Sequence, residues 1–355
     1  MSSLANVPRP DTGDEVIIPN VWLWIRDLVT DATTLAMYGR ADPFRQQPKL
    51  EQALWDQTND LLALSVGILP GILAPVGNRG RAMLFKYLTP YYSAKLDQDE
   101  SASAFVRNRA HELRGVGISD GEVAQIESLM PFVGTTNTVP TLFWLFGNVF
   151  SRPELAERLR VEIEKELVAK REGDEVTLLV GVAIEDKCPL LWSCYKETLR
   201  LAGHGVRTRT VMQDTVVSDG DGKQYLLKKD CVVQMAVGVG HTSAQHWGHD
   251  VDTFNPDRFL SKAANSMRSV YQPFGGGVHL CPGRHFSTAE TMAVVATMVL
   301  AFEVRPMGGQ EWKLPGYAHG SIVDTVTKPV KQGEGFGVRV KRRDGWRGVQ
   351  WKYVF

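Results

Sequence analysis

The stretch YQPFGGGVHLCPGRHFSTAE, residues 271–290, sets three consecutive glycines ahead of one cysteine and then a run with helical spacing. A thiolate is a strong metal ligand, but as a buried anion it must be stabilised. The unpaired backbone N–H groups at a helix start do this. Cys281 stands at such a start: Pro282 suits an early helical position, and Gly283 lets the backbone pass close to a flat ligand. Gly275, Gly276 and Gly277 permit a turn with no protruding side chain, so a large planar group can approach the main chain, with Phe274 shielding one side of the sulfur. A phosphate loop fits poorly, because neither G-x-x-x-x-G-K-[ST] nor G-x-G-x-x-G after a strand occurs here.

Composition narrows the context of that loop. The 355 residues are 43% hydrophobic and 23% charged, ordinary for a soluble globular chain with a large core. Forty basic and forty acidic side chains leave no net charge, which argues against nucleic acid or another polyanion as partner. The four cysteines, Cys188, Cys194, Cys231 and Cys281, form no CxxC pair, so a reducing compartment is expected and the other three read as small buried hydrophobes. The first twenty residues carry prolines and acids where a secretory leader needs a basic start and an apolar run. Residues 61–77, LLALSVGILPGILAPVG, are the most apolar stretch; Gly67, Pro70, Gly71 and Pro75 break it too often for a transmembrane helix, but it suits peripheral contact with a membrane surface.

Helical spacing dominates the first 170 residues, with segments near 20–38, 48–66, 79–96 and 101–115. Residues 119–150 predict one long helix, opened by Ser119 and Glu122 in capping-box spacing and apolar nearly all round, hence central and buried. Another helix is expected from 151, with Ser151 and Glu154 as a second box, and a further one over CPLLWSCYKETLRLAG. From 205 to 240 Val and Thr alternate with polar residues around DGDGK, predicting two or three short strands; GFGVRVKRR predicts a closing strand. The expected fold class is mainly α with a small β part, residues 1–355 forming a single domain.

Phe274, Gly277, Cys281 and Gly283 match F-x-x-G-x-x-x-C-x-G, and the chain resembles the cytochromes P450, whose haem-binding loop has this pattern. Glu197 and Arg200 share a helix face in KETLRL, and FNPDRF adds Arg258; together these resemble the family's Glu-Arg-Arg triad, a carboxylate locked between two guanidinium groups. The elements follow the family's order, with 84 residues between Glu197 and Cys281. The resemblance implies that Cys281 is the axial ligand of haem iron, with Phe274, Gly277 and Gly283 forming the loop around it. His279 and Arg209 are expected near the haem propionates, Arg209 being the better candidate because neutral histidine is a weak counter-charge.

In GTTNTVP the resemblance places Asn137 and Thr138 where the family carries an acid followed by a threonine that deliver protons to oxygen. Asn137 is no general acid at neutral pH, so proton delivery would run through Thr138 and water. Pro140 lacks an N–H, which predicts a distortion within the long helix near Thr136. Asn-Thr-x-Pro followed by FW is similar to the branch holding cholesterol and oxysterol 7α-hydroxylases and prostacyclin synthase, and to fungal secondary-metabolism members.

The resemblance covers the later part of the family pattern, from about residue 20 onward, and implies a P450 fold lacking its N-terminal portion. Trp22 and Arg26 show the W-x-x-x-R spacing of a propionate-gripping helix, but WIRDLVTDATTLAMYGRADPF is more similar to the helix that follows it. His241, His246 and His249 crowd together without helical HxxxH spacing and are not expected to bind metal. The function implied is a haem-thiolate monooxygenase acting on a small lipophilic terpenoid, sterol, polyketide or alkaloid, with electrons from NADPH through NADPH-cytochrome P450 reductase. The implied location is cytoplasmic or the cytoplasmic face of the endoplasmic reticulum. An isomerase or dehydratase needing no external electrons, and a non-catalytic remnant that binds pathway enzymes, are the alternatives.

Overall fold

The computed structural model describes residues 15–181, 184–261, 267, 269–309, 311–318, 324–332 and 335–354. A short strand, β1 (Val16–Ile18), leads into helix α1 (Val21–Tyr38), whose first turn is capped by the Asn20 side chain accepting from Leu23 N. Four longer helices follow, α2 (Lys49–Asn59), α3 (Pro75–Ser93), α4 (Ala104–Gly115) and α5 (Asp120–Glu127), with the short helical segments Pro43–Gln46, Leu61–Val66 and Pro70–Leu73 before and between them. Leu50, Leu54, Leu84, Leu88, Tyr91 and Val106 pack these helices around their own apolar cluster, and Tyr38 at the end of α1 joins it. The expected capping box is formed at α5, where Ser119 and Glu122 bond reciprocally.

The long helix expected over 119–150 is three helices. After α5 come α6 (Met130–Thr135) and α7 (Thr138–Phe150). Each break has a proline just beyond it: Pro131 lies at the start of α6, and Pro140 lies in the first turn of α7, where a missing N–H costs no helix bond. The distortion expected at Pro140 is therefore a helix start rather than a kink. All thirteen residues of α7 are buried, so its central position agrees with its apolar composition.

Ser151 ends α7 instead of capping the next helix. Pro153 keeps Arg152 out of the helical region, at φ −126° and ψ 88°, and α8 (Pro153–Glu166) begins there without a side-chain cap. The stretch expected to continue as helix turns into a hairpin, β2 (Val168–Glu172) and β3 (Glu175–Leu179), around Gly173 at φ +56°.

Helix α9 (Pro189–Ala202) carries the Glu–Arg pair, and strands β4 (Val206–Thr210), β5 (Thr215–Ser218), β6 (Gln224–Leu227) and β7 (Val232–Ala236) follow. These are four strands, paired β4–β7 and β5–β6, where two or three were expected. The cysteine loop leads into helix α10 (Arg284–Ala301) and strand β8 (Phe302–Pro306). The closing strand is β9 (Val338–Arg342), between β1 and β8, and a further strand, β10 (Gln350–Val354), runs parallel to β3. The main core gathers α1, α7, α8, α9 and α10, with Trp22, Phe143, Phe146 and Val299 at its centre. Among the described residues no helix is long and apolar enough to cross a membrane.

Candidate functional site

Cys281 sits on the loop that turns into α10, its N–H donating to Phe274 O at 2.9 Å and so closing the glycine turn. Gly275 at φ +92° and Gly277 at φ +61° occupy backbone conformations that side chains disfavour, which is why the turn needs glycine there. A Cβ on Gly283 would stand 3.8 Å from Cys281 Sγ, an ordinary contact distance, so Gly283 lies directly beside the sulfur. Arg284 Nη1 donates to Cys281 O at 3.0 Å and fixes the peptide beside the thiol. The thiol is half-buried and in no disulfide, and Phe274 packs on the main core. Val278, 96% exposed, and Leu280 are apolar exposed residues of the same loop, and Phe286 is another in the first turn of α10. A soft sulfur, a side-chain-free glycine bed and an apolar rim fit a flat, apolar, iron-bearing group such as haem.

A buried ionic cluster holds α9 to the segment before this loop. Glu197 accepts from Arg200 Nε and Nη2, each at 2.8 Å, from Arg258 Nε at 2.9 Å and from Asn255 N at 3.2 Å. Glu197 and Arg200 are fully buried and the Arg258 side chain is 8% exposed. Every carboxylate oxygen is thus paired, the condition under which a buried charge is tolerable. Arg258 spends its remaining donors on Trp247 O and on Asp250, and Asp250 is held below the usual carboxylate range by its hydrogen bond to Arg258.

His241 links this cluster to the cysteine loop, a role sequence reading did not give it. Its carbonyl accepts from Arg200 Nη1 at 2.7 Å, its Nδ1 donates to Gly203 O at 2.9 Å, and its Nε2 accepts from Gln272 N at 3.2 Å. This pattern requires a neutral ring, and burial pushes its pKa down to about 4. Gln272 in turn accepts from Arg207 through its side-chain and backbone oxygens. Only the tertiary neighbours reveal this; the sequence shows one histidine among three.

Arg209 lies two residues after Arg207 on β4, hence on the same face, and its guanidinium is exposed with Nη1 donating to Thr208 O at 2.7 Å. His279 is exposed in the turn Gly277–His279. Asn137, between α6 and α7, is tied elsewhere: its Oδ1 accepts from Thr325 Oγ1 at 2.9 Å and Val326 N at 3.2 Å. Thr138 Oγ1 is 3.0 Å from Gly134 O and 3.1 Å from Ser287 Oγ on α10, so its one hydrogen serves one acceptor at a time. Ser287 is six residues after Cys281, and this contact couples α7 to the helix that the cysteine opens. Tyr195 on α9 reaches the same turn through Thr288 Oγ1 at 3.0 Å.

A mainly α protein whose buried ionic cluster braces a glycine-lined cysteine loop, opposite a broken apolar helix, belongs to the class built to hold a planar metal cofactor on a thiolate. The model of the Cytochrome P450 family matches residues 76–327, and the chain belongs to that family. It is similar to a cytochrome P450 monooxygenase of Gibberella zeae, 36% identical over 344 residues, which cover 95% of this chain and 65% of that protein. Cytochrome P450 7A1 of Rattus norvegicus is 27% identical over 199 residues, 52% of this chain and 39% of that one, in keeping with the branch read from Asn-Thr-x-Pro. A solved retinoic acid-bound cyanobacterial CYP120A1 superposes with TM-score 0.69 at 21% identity, covering 93% of this chain and 70% of that one. The chain therefore spans about two thirds of the length of such relatives.

Proposed function

We propose that this chain serves a haem-thiolate monooxygenase, with Cys281 as the axial ligand. The observation that carries this is the half-buried thiol on a loop whose glycines leave room for a flat group. Held by the Cys281 thiolate, haem would supply reductive activation of O₂. The rest is work for the chain's own side chains. Phe274, Gly277 and Gly283 shape the seat. Arg209, exposed on β4, and His279, exposed in the turn before Cys281, are the side chains we assign to its carboxylates. Glu197, Arg200 and Arg258, through His241, hold the loop in register. Thr138, at the start of α7, reaches Ser287 on α10, where a hydroxyl that exchanges acceptors can pass a proton, while Asn137 beside it holds the segment through Thr325 and Val326.

The substrate we infer is a small lipophilic terpenoid, sterol, polyketide or alkaloid of secondary metabolism, since α7 is mostly apolar, with Val139, Leu142, Phe143, Leu145 and Phe146 among its buried residues. NADPH-cytochrome P450 reductase is the proposed electron source. Residues 61–77 expose Leu62, Val66, Ile68, Leu69, Ile72 and Leu73, Ile72 to 73%, an apolar patch suited to peripheral contact with the cytoplasmic face of the endoplasmic reticulum. Because α1 contributes to both apolar clusters, we treat the 355 residues as one domain.

A second reading, an isomerase or dehydratase working without external electrons, is favoured by one feature: Asn137 spends its amide oxygen on Thr325 and Val326 and supplies no acid. Substrate turnover of haem-loaded protein, measured with and without NADPH and the reductase, separates the two. Turnover that requires both supports the monooxygenase; turnover that needs neither replaces it with the isomerase.

A further inference from the structure

Helix α9 reaches the cysteine loop at both of its ends, using residues 195–200, less than two turns of its own length. At the upstream end Tyr271 Oη donates to Lys196 O at 3.0 Å. Gln272 N reaches α9 through His241, whose carbonyl accepts from Arg200 Nη1. At the downstream end Tyr195 Oη lies 3.0 Å from Thr288 Oγ1, and a hydroxyl bond with Ser287 adds to that contact. Residues 273–286, Cys281 among them, thus run between two points fastened to one helix.

The downstream tie is made by the phenol of Tyr195, and its surroundings fix where that hydroxyl points. Tyr195 is 1% exposed, its ring tilted against Trp192 with centroids 5.5 Å apart. Burial pushes its pKa up to about 12, so the hydroxyl keeps its proton at neutral pH and can donate to one of its two partners while accepting from the other. Cys281 lies within electrostatic reach of it. Ser287 carries the contact onward: its Oγ is 3.1 Å from Thr138 Oγ1, and its N–H donates to Gly283 O at 2.9 Å, two residues beyond the cysteine. Helices α7, α9 and α10 therefore meet through hydroxyls on the turn that follows Cys281. Apolar packing is non-directional and would fill the same space without fixing the turn's orientation, whereas a hydrogen bond sets distance and angle together.

We propose that Tyr195 is a positioning residue for Cys281: its hydroxyl fixes the downstream end of the loop and with it the direction in which the thiol faces a bound cofactor. The consequence for the cofactor rests on the haem reading of Cys281; the brace itself is measurable without haem. In the haem-free chain, Tyr195→Phe should speed amide exchange at residues 284–288 about fivefold, the scale of one net hydrogen bond, and leave residues 197–202 unchanged. Site-resolved alkylation of Cys281, measured against exposed Cys231 at one pH, should change about threefold. In haem-loaded protein the same variant should raise about threefold the share of the reduced carbonyl form that lacks the thiolate band. Thr288→Val should shift all three in the same direction but less, and adding it to Tyr195→Phe should change nothing further, because their shared bond is already gone. The proposal is overturned if Tyr195→Phe leaves the exchange, the alkylation ratio or the thiolate share at the parent's value, whether or not melting falls, and equally if the two substitutions add. A parent without a thiolate band would sink the haem reading instead, and exchange and alkylation would still decide the brace.

Discussion

Two glutamates, Glu197 on α9 and Glu290 on α10, stand in contrasting states. Glu197 has two guanidinium groups and a backbone amide on its carboxylate. Glu290 has one threonine hydroxyl and an oxygen with nothing. Burial pushes the Glu290 carboxyl up to about 8 and keeps it protonated at neutral pH. The contrast teaches how differently two helices of one core treat a carboxylate. The cluster that braces the cysteine loop closes every bond it opens, whereas Glu290 keeps one oxygen without a hydrogen-bond partner.

The sharpest way to break this comparison is Glu197→Ala. It leaves Arg200 and Arg258 buried without their counter-charge and is expected to cost about 3–5 kcal/mol, giving insoluble or haem-free protein. A soluble variant melting like the parent would show that the cluster is no more than a contact. His241 comes next. The unfolded ring takes a proton near its ordinary pKa of 6.5, while the folded ring stays neutral to about 4. Stability is therefore full above pH 6.5 and falls as pH drops toward 4, by about 3 kcal/mol at 1.36 kcal/mol per unit. Urea titrations across that window should show the fall in the parent and a flattened profile in His241→Gln.

Little of this second effect was legible in the sequence, and the reason is physical. The cysteine loop, the Ser119–Glu122 box and the Glu197–Arg200 pair are local patterns, encoded within a turn or two of chain. The roles of His241 and Glu290 come from neighbours 31 to 257 residues away and leave no local trace. Helix ends suffered likewise: the apolar run from Ile126 to Phe150 hides two breaks that Pro131 and Pro140 mark only once their positions in a first turn are seen. Strand β10 was missed because its pairing with β3 spans 175 residues.

Glu290 offers the opposite sign of pH dependence. Its unfolded carboxyl ionises near 4.5 and its folded one near 8, so the folded state loses stability as pH rises between them. The expected loss is about 2 kcal/mol, below the full shift because a cavity that Glu290 helps to line admits solvent beside the residue. Glu290→Gln should remove it, while a profile unchanged from the parent would place the carboxyl in contact with water. The smallest effect is expected at Thr138→Ala, about 1 kcal/mol for its hydrogen bonds, with haem content retained. Product formed per NADPH consumed should drop; an unchanged ratio would confine Thr138 to bonding Gly134 and Ser287.

The account rests most heavily on Cys281, and the absorption spectrum of haem-loaded protein, reduced and treated with carbon monoxide, tests it directly. Whatever fraction of the chain takes up haem should show the red-shifted band of thiolate ligation, and Cys281→Ser should lose that band, because a hydroxyl is a far poorer donor to iron. A thiolate band that persists in Cys281→Ser would move the ligand to another cysteine and contradict the site described.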